Sequence, residues 1–217
     1  MTESPTAHPE DFSGETRATQ AFARQPGGMP TPILIPAGSI LEGRSANYKL
    51  RRELGRGAFG RVYEAEVMNR RDTQQIPPLV AVKVFILPPG WDMPQFLQRE
   101  ISSLLAVRTD RIPRVIDWRI DITEPFMVIP YYSRGSLSAA MDPNAPIPER
   151  DGWRLLTDLL AALRAAHTAS LLHLDIKPAN VLLDDHGGFV LVDFSIAQGS
   201  HAPPELVSAG LGSPGYS

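Results

Sequence analysis

The segment that most restricts the fold is Leu54-Gly55-Arg56-Gly57-Ala58-Phe59-Gly60-Arg61-Val62, which lies between two strand-like runs. Glycines at 55, 57 and 60 let the backbone approach phosphate oxygens closely, with amide hydrogens as donors. Two kinds of fold use this spacing. The dinucleotide-binding version needs a helix straight after the glycines and an acidic residue on the next strand. Here Val62-Tyr63-Glu64-Ala65-Glu66-Val67 alternates as a strand does, so the glycines cap a hairpin. On this segment alone, a plain glycine-rich turn remains the competing reading.

The surroundings extend the pattern. Residues 1–46 are rich in Pro, Gly, Ser, Thr and Ala without periodicity and read as a mobile leader, in which Ile33-Leu34-Ile35 is the one part suited to docking. Strands are predicted over 48–54, 61–67, 79–86, 114–120 and 126–131, with a helix from Asp92 (N-cap) to about Val107. A long amphipathic helix spans about 150–170, with Trp153, Leu156, Leu160, Leu163 and His167 near one face. Short strands 181–183 and 189–192 follow, joined by Asp184-Asp185-His186-Gly187-Gly188. This order predicts an α+β, two-lobed chain: a strand-rich lobe over 47–131 and a helical lobe over 132–217. A charge of -3 gives no reason to expect nucleic acid or an anionic membrane as partner. No apolar window reaches a transmembrane length, and the N-terminus lacks a secretory signal. The absence of cysteine excludes disulfides and thiolate-bound metals, and the simplest compartment is the cytoplasm.

Several residues depart from what packing alone asks for. Lys83 interrupts an apolar strand and shares a face with Ala81 and Phe85. A lysine in a strand is usually an edge residue in water, whereas a half-buried one needs an anion. Glu100, in the apolar stripe of Phe96, Leu97, Leu104 and Val107, is its natural mate unless it sits at the stripe's edge. In His173-Leu174-Asp175-Ile176-Lys177-Pro178-Ala179-Asn180, Asp175 is suited to accept a proton from an attacking hydroxyl, and Lys177 to neutralise a phosphoryl group. The Asn180 amide oxygen and the Asp193 carboxylate, at a strand end, make a two-ligand oxygen site that suits Mg²⁺. His173 reads as a packed structural residue rather than a catalytic one.

With these motifs in order (Gly-rich loop, Val80-Ala81-Val82-Lys83, a helix glutamate, the 173–180 run, Asp193-Phe194-Ser195), the chain resembles the eukaryotic-type serine/threonine protein kinases of bacteria from about Tyr48 to Ser217. Asn180 and Asp193, thirteen positions apart, fit the hairpin that the family places between them. The resemblance implies MgATP as phosphoryl donor and a protein Ser/Thr hydroxyl as acceptor. It implies that Leu54, Gly55, Arg56, Gly57, Ala58, Phe59, Gly60 and Val62 roof the nucleotide. Val62, Ala81 and Leu182 would sandwich the adenine, with Ile129 behind it and Pro130-Tyr131-Tyr132 as the hinge. Lys83, Glu100, Asp175, Lys177 and Asn180 would be catalytic, with Asn180 and Asp193 holding the metal. Leu104, Val115, His173 and Phe194 would stack as a spine between the lobes, and Gly212-Ser213-Pro214-Gly215-Tyr216 would receive the substrate polypeptide.

Three departures qualify the resemblance. Leu174 stands where the family has an arginine that docks a phosphorylated loop, so phosphate on Ser200, Ser208 or Ser213 is not expected to be the main switch. Ser195 replaces a glycine after the metal aspartate. The family continues past Gly215-Tyr216 with an acidic anchor motif and several helices. The chain is therefore expected to be a fragment or a truncated product, leaving apolar faces of the 150–170 helix open to water. Two other readings stay open: a non-catalytic nucleotide-binding module, and a small-molecule phosphotransferase of the aminoglycoside kinase type.

Overall fold

The structure is a computed structural model that describes residues 35–57, 60–71, 75–86, 93–142 and 144–194, without the side chains of 93–96, 99 and 100. Most of the expected leader, the Ala58-Phe59 tip of the glycine turn, Ser195, Ser200, Ser208 and the 212–216 segment lie outside these residues.

Six strands form one antiparallel sheet: β1 (Ile40–Glu42), β2 (Asn47–Gly57), β3 (Gly60–Met68), β4 (Leu79–Phe85), β5 (Asp117–Arg119) and β6 (Phe126–Pro130), in the order β1-β2-β3-β4-β6-β5. The alternation of β4 gives the sheet its two faces. Val80, Val82 and Val84 join Tyr48, Leu50, Tyr63 and Phe126 in one core. Phe85 turns the other way, into a second core with Leu97, Ile101 and Leu104 of helix α1 (Met93–Ala106). The spacing of those three on α1 is the helical one, so one stripe of the helix covers that face of the sheet.

The sheet curls until its two edges meet. Asp117 on β5 is buried and accepts from Ser45 N–H (2.9 Å), Arg44 N–H (3.3 Å) and the Tyr48 hydroxyl (2.8 Å), all around the β1–β2 turn. Its own neighbour Trp118 donates a further N–H at 2.8 Å. Gly43 lies so close to this carboxylate and to Tyr48 that a side chain there would collide with both.

β1 corrects the leader expectation. Residues 35–46 belong to the strand-rich lobe: Ile40–Glu42 pairs with β2, and Ile35, Leu41 and Ala46 are buried in the first core. Of the apolar run proposed to dock, Ile35 does pack; Ile33 and Leu34 are outside the described residues.

The second lobe holds a short helix α2 (Leu137–Ala140), helix α3 (Glu149–Thr168), a 3-10 turn (Pro178–Asn180) and the hairpin β7 (Val181–Leu183) and β8 (Phe189–Leu191). Glu149 and Asp151 in the first turn of α3 complement the helix dipole. Its end is closed by Ser170 in the left-handed region (φ 57) and by Leu171 N–H reaching back to Ala166 C=O at 2.9 Å.

The inward face of α3 differs from the stripe singled out in the sequence. Asp158, Ala162 and Ala166 are buried, with Leu155, Leu159 and Leu163 packed beside the core. Trp153, Leu156 and Leu160 are 63%, 48% and 57% exposed. Leucines occupy more than one face of this helix, and the row spaced by four that carries small residues is the one that fits against β8. Large side chains at those positions would hold the helix off the hairpin.

Candidate active site

The glycine hairpin forms as the alternation after Gly60 required. β2 and β3 pair from Asn47↔Met68 to Gly57↔Gly60, with register shifts between Leu50 and Arg52 and between Glu53 and Gly55. Gly60 admits nothing larger, since a Cβ there would overlap the Val84 carbonyl of β4. A Cβ on Gly57 would stand 4.0 Å from an Asp193 carboxylate oxygen, so the described end of the hairpin hangs over Asp193. Below it, Val62 pairs with Lys83, and Ala81 with Ile129, which brings the expected adenine-facing residues onto neighbouring strands. Leu182 sits on β7, bridged to Ser136 just past the segment Pro130-Tyr131-Tyr132.

Lys83 is nearly buried, and its Nζ lies 2.8 Å from Asp193 Oδ1. The Glu100 side chain is outside the described residues; its backbone lies on α1. The expected Lys83–Glu100 pair is therefore not described, and the anion seen beside Lys83 is Asp193.

The loop from Leu171 to Asn180 gathers the other polar groups. The Asp175 carboxylate is 8% exposed and takes Lys177 Nζ at 2.7 Å. The Asn180 amide donates to the Asp175 backbone carbonyl (2.8 Å) and to its Oδ2 (3.0 Å). This spends the NH₂ on Asp175 and leaves the amide oxygen as the group offered to a ligand. At the open end of the β7–β8 hairpin, Val192 N–H bonds to the Asn180 carbonyl at 2.9 Å, so Asn180 and Asp193 stand at the same end. Asp193 holds φ 65, a left-handed conformation that Asp tolerates better than most residues. An amide oxygen and a carboxylate are hard donors of the kind Mg²⁺ takes, and they are the groups here that could hold it. Among the described residues no group of three or more His, Cys, Asp or Glu gathers as a denser metal cage would require.

His173 is packed, 2% exposed, edge-on to Phe194 with ring centroids 4.5 Å apart, and its Nε2 lies 2.8 Å from the Val192 carbonyl. Burial pulls its pKa below the ordinary value, against the opposing pull of that carbonyl and of Asp193 and Asp175. Of the expected spine residues, His173 touches Phe194, and Phe194 and Leu104 lie in one buried cluster with Val115 packed against it. Leu174, next to His173, is 41% exposed and carries φ 61, a costly conformation for a leucine. In the segment after β6, burial raises the Tyr132 hydroxyl pKa to about 12, with Asp184 adding to the rise and Arg111 opposing it.

Two polar side chains that brace the elements around the candidate site have no local signature in the sequence. Asp158, on the inward row of α3, accepts Phe189 N–H (2.9 Å) and lies 3.2 Å from Arg111 Nε. Asp158 lies four residues before Ala162 and eight before Ala166, on a row that the larger apolar stripe of Trp153, Leu156 and Leu160 outweighs in the sequence. Arg52 on β2 joins Glu64 (2.8 Å) to the Tyr131 hydroxyl (2.9 Å), tying the sheet to the segment expected to bind the base.

The protein kinase domain family matches residues 48–217. The chain is similar to serine/threonine-protein kinase PknK of Mycobacterium tuberculosis (strain CDC 1551 / Oshkosh), 33% identical over 166 residues, covering 76% of this chain and 14% of that protein. It is similar to serine/threonine-protein kinase 36 of Pongo abelii, 30% identical over 171 residues (78% of this chain, 12% of that protein). A probable serine/threonine-protein kinase PknB of Lactococcus lactis is 28% identical over 169 residues, covering 76% of this chain and 25% of that protein. The chain thus spans a quarter or less of these relatives. With the curled sheet, the glycine hairpin over Asp193 and the Asp175–Asn180 loop in place, the chain belongs to the protein kinase domain family.

Proposed function

We propose that this chain carries the nucleotide site and catalytic loop of an ATP-dependent serine/threonine protein kinase. The observation that supports it most is the fixed Asn180 amide. Both of its N–H groups are engaged by Asp175, which leaves its oxygen as the group that would meet a cation at the end of the hairpin where Asp193 stands. Asn180 and Asp193 would hold Mg²⁺, whose charge would offset that of the ATP phosphates. The backbone of the glycine hairpin would donate to phosphate oxygens, and Lys83, already paired with Asp193, would add a cation beside them. Glu100 on α1 would brace Lys83. Val62, Ala81, Ile129 and Leu182 would enclose the base, with the backbone of Tyr131 and Tyr132 hydrogen-bonding its edge. Asp175 would take the proton from the acceptor hydroxyl as the oxygen attacks, while Lys177, 2.7 Å from Asp175, would neutralise charge on the phosphoryl group in flight. The acceptor is a Ser/Thr hydroxyl of a protein, and the compartment is cytoplasmic; among the described residues no helix is long and apolar enough to cross a membrane.

The test is transfer of radiolabelled γ-phosphate from ATP to a mixed protein substrate by the wild-type chain and by Asp175→Asn. Loss of the general base should lower kcat by about 10²–10⁴-fold with little change in nucleotide affinity. Transfer that survives the substitution refutes the assignment. Nucleotide binding with no transfer in the wild type would replace it with the non-catalytic reading.

A further inference from the structure

The β7–β8 hairpin carries Asn180 and Asp193 at one end, and its other end is gripped from several directions. Arg111, in the segment between α1 and β5, places Nη1 3.3 Å from Asp184 Oδ2 and Nε 3.2 Å from Asp158 Oδ1. Nearer the Asn180–Asp193 end, its backbone carbonyl accepts Leu191 N–H of β8 at 2.9 Å, a bond that replacing its side chain leaves in place. Asp158 on α3 takes Phe189 N–H, the first amide of β8. From the segment after β6, Ser133 Oγ meets Asp185 at 3.2 Å and Arg134 Nη1 donates to the Asp184 carbonyl at 3.2 Å. The fit is close: a side chain on Gly188 would collide with Arg111 Nη1 and the Asp184 carboxylate.

We propose that Arg111 is a positioning residue that fixes the metal-bearing end of this hairpin relative to the sheet. It deepens the kinase reading and rests on it. Strands of three residues span only about 10 Å, so the hairpin behaves as a short stiff lever. A grip on its turn and on β8 sets the angle at which Asp193 meets Lys83 and the glycine hairpin. One guanidinium reaches two carboxylates on different elements, Asp158 of α3 and Asp184 of the turn, while its carbonyl holds the strand itself. Lysine keeps the charge but not the fork, and cannot span both. Arg111 touches no substrate in this account; it acts through Asn180 and Asp193.

The test compares wild type, Arg111→Ala, Arg111→Lys and Asp184→Asn. Asp184→Asn keeps an oxygen for the His186 and Gly188 amides (2.8 and 2.6 Å) while removing the charge that faces Arg111. The first readout is amide hydrogen exchange at Val192 in the ligand-free protein. The second is the Mg²⁺ concentration giving half-maximal binding of a fluorescent ATP analogue, beside the affinity of that analogue without Mg²⁺. Faster Val192 exchange at an unchanged global melting temperature, and a Mg²⁺ midpoint raised about tenfold with Mg²⁺-free affinity unchanged, are the expected results. If Arg111→Ala does not fold, Arg111→Lys and Asp184→Asn carry the comparison. Val192 exchange and a Mg²⁺ midpoint equal to wild type in those two variants overturn the proposal. A wild-type chain that binds no nucleotide refutes the kinase reading instead, while the exchange measurement still decides whether Arg111 holds the hairpin.

Discussion

Asp117 is the place where the curled sheet is closed, and the cost of opening it can be worked from its partners. Each carboxylate oxygen takes two donors: Oδ1 receives Arg44 and Trp118 N–H, Oδ2 receives Ser45 N–H and the Tyr48 hydroxyl. Tyr48→Phe removes only the hydroxyl and strands nothing, because Ser45 still serves Oδ2. A hydrogen bond to a charged group contributes about 1.5–3 kcal/mol, and the intact remainder puts this loss near 1.5. Asp117→Asn must turn its NH₂ toward one pair of donors. The tyrosine hydroxyl can rotate to accept, so the amide settles on that side and strands the Ser45 N–H, for about 2–3 kcal/mol. Asp117→Ala strands the backbone donors together and should cost about 4 kcal/mol. Urea unfolding at constant m-value gives these numbers directly, and melting shifts of about 2–4 °C per kcal/mol give a second scale. Tyr48→Phe keeps the ring and its packing on Phe126, so in the Asp117→Ala background it should add almost nothing further, since the shared bond is already gone. If Tyr48→Phe costs as much as Asp117→Ala, or the two changes simply add, the carboxylate is not the closing point and the reasoning fails.

Other substitutions test separate statements. Gly60→Ala, which drives a methyl into the Val84 carbonyl, should destabilise by about 1–3 kcal/mol and weaken nucleotide binding, as thermal shift and fluorescence titration would show. Leu174→Asn relieves a leucine of its left-handed backbone and should stabilise by about 1 kcal/mol; a lower melting temperature would contradict that. Trp153→Ala, on the exposed side of α3, should change stability by less than about 0.5 kcal/mol, whereas Ala166→Leu on the buried row should cost about 1–3 kcal/mol. Burial depresses the His173 pKa, so the unfolded chain binds the proton more readily. Stability should therefore fall as pH drops from about 6.5 toward the lower folded value, and His173→Phe should flatten that slope in unfolding measured between about pH 7 and 5.

What the sequence made legible followed from period. The strand alternation of 61–67 and 79–86 and the helical spacing of Leu97, Leu104 and Val107 needed no tertiary knowledge, and β3, β4 and α1 lie where that pattern put them, with Ile101 joining the buried stripe. The relation of Asp175, Lys177 and Asn180 was legible too, because eight consecutive positions carried it. β1 was not: its one buried side chain, Leu41, makes no period among the prolines and glycines around it. The buried row of α3 has no apolar signal because it is made of alanine and aspartate, residues that give no inward preference until the hairpin they receive is known. Glu64 reads as a solvent-facing strand residue, yet it is 6% exposed, covered by Arg51 and Arg52 from the neighbouring strand. Contacts of that kind, like the reach of Arg111 to Asp158 and Asp184, join residues far apart in the chain and have no local signature.

The backbone of Asp193 decides which replacements can be interpreted. At φ 65 only glycine, asparagine and aspartate sit without appreciable strain, and a β-branched or large residue would have to distort the chain just where the hairpin ends. Asparagine therefore isolates the carboxylate's charge, while alanine mixes that loss with a backbone penalty of about 1–2 kcal/mol. The same restriction narrows what mutation can make of this position. Its conformation leaves few neighbours open to it besides the amide that keeps an oxygen and gives up the charge.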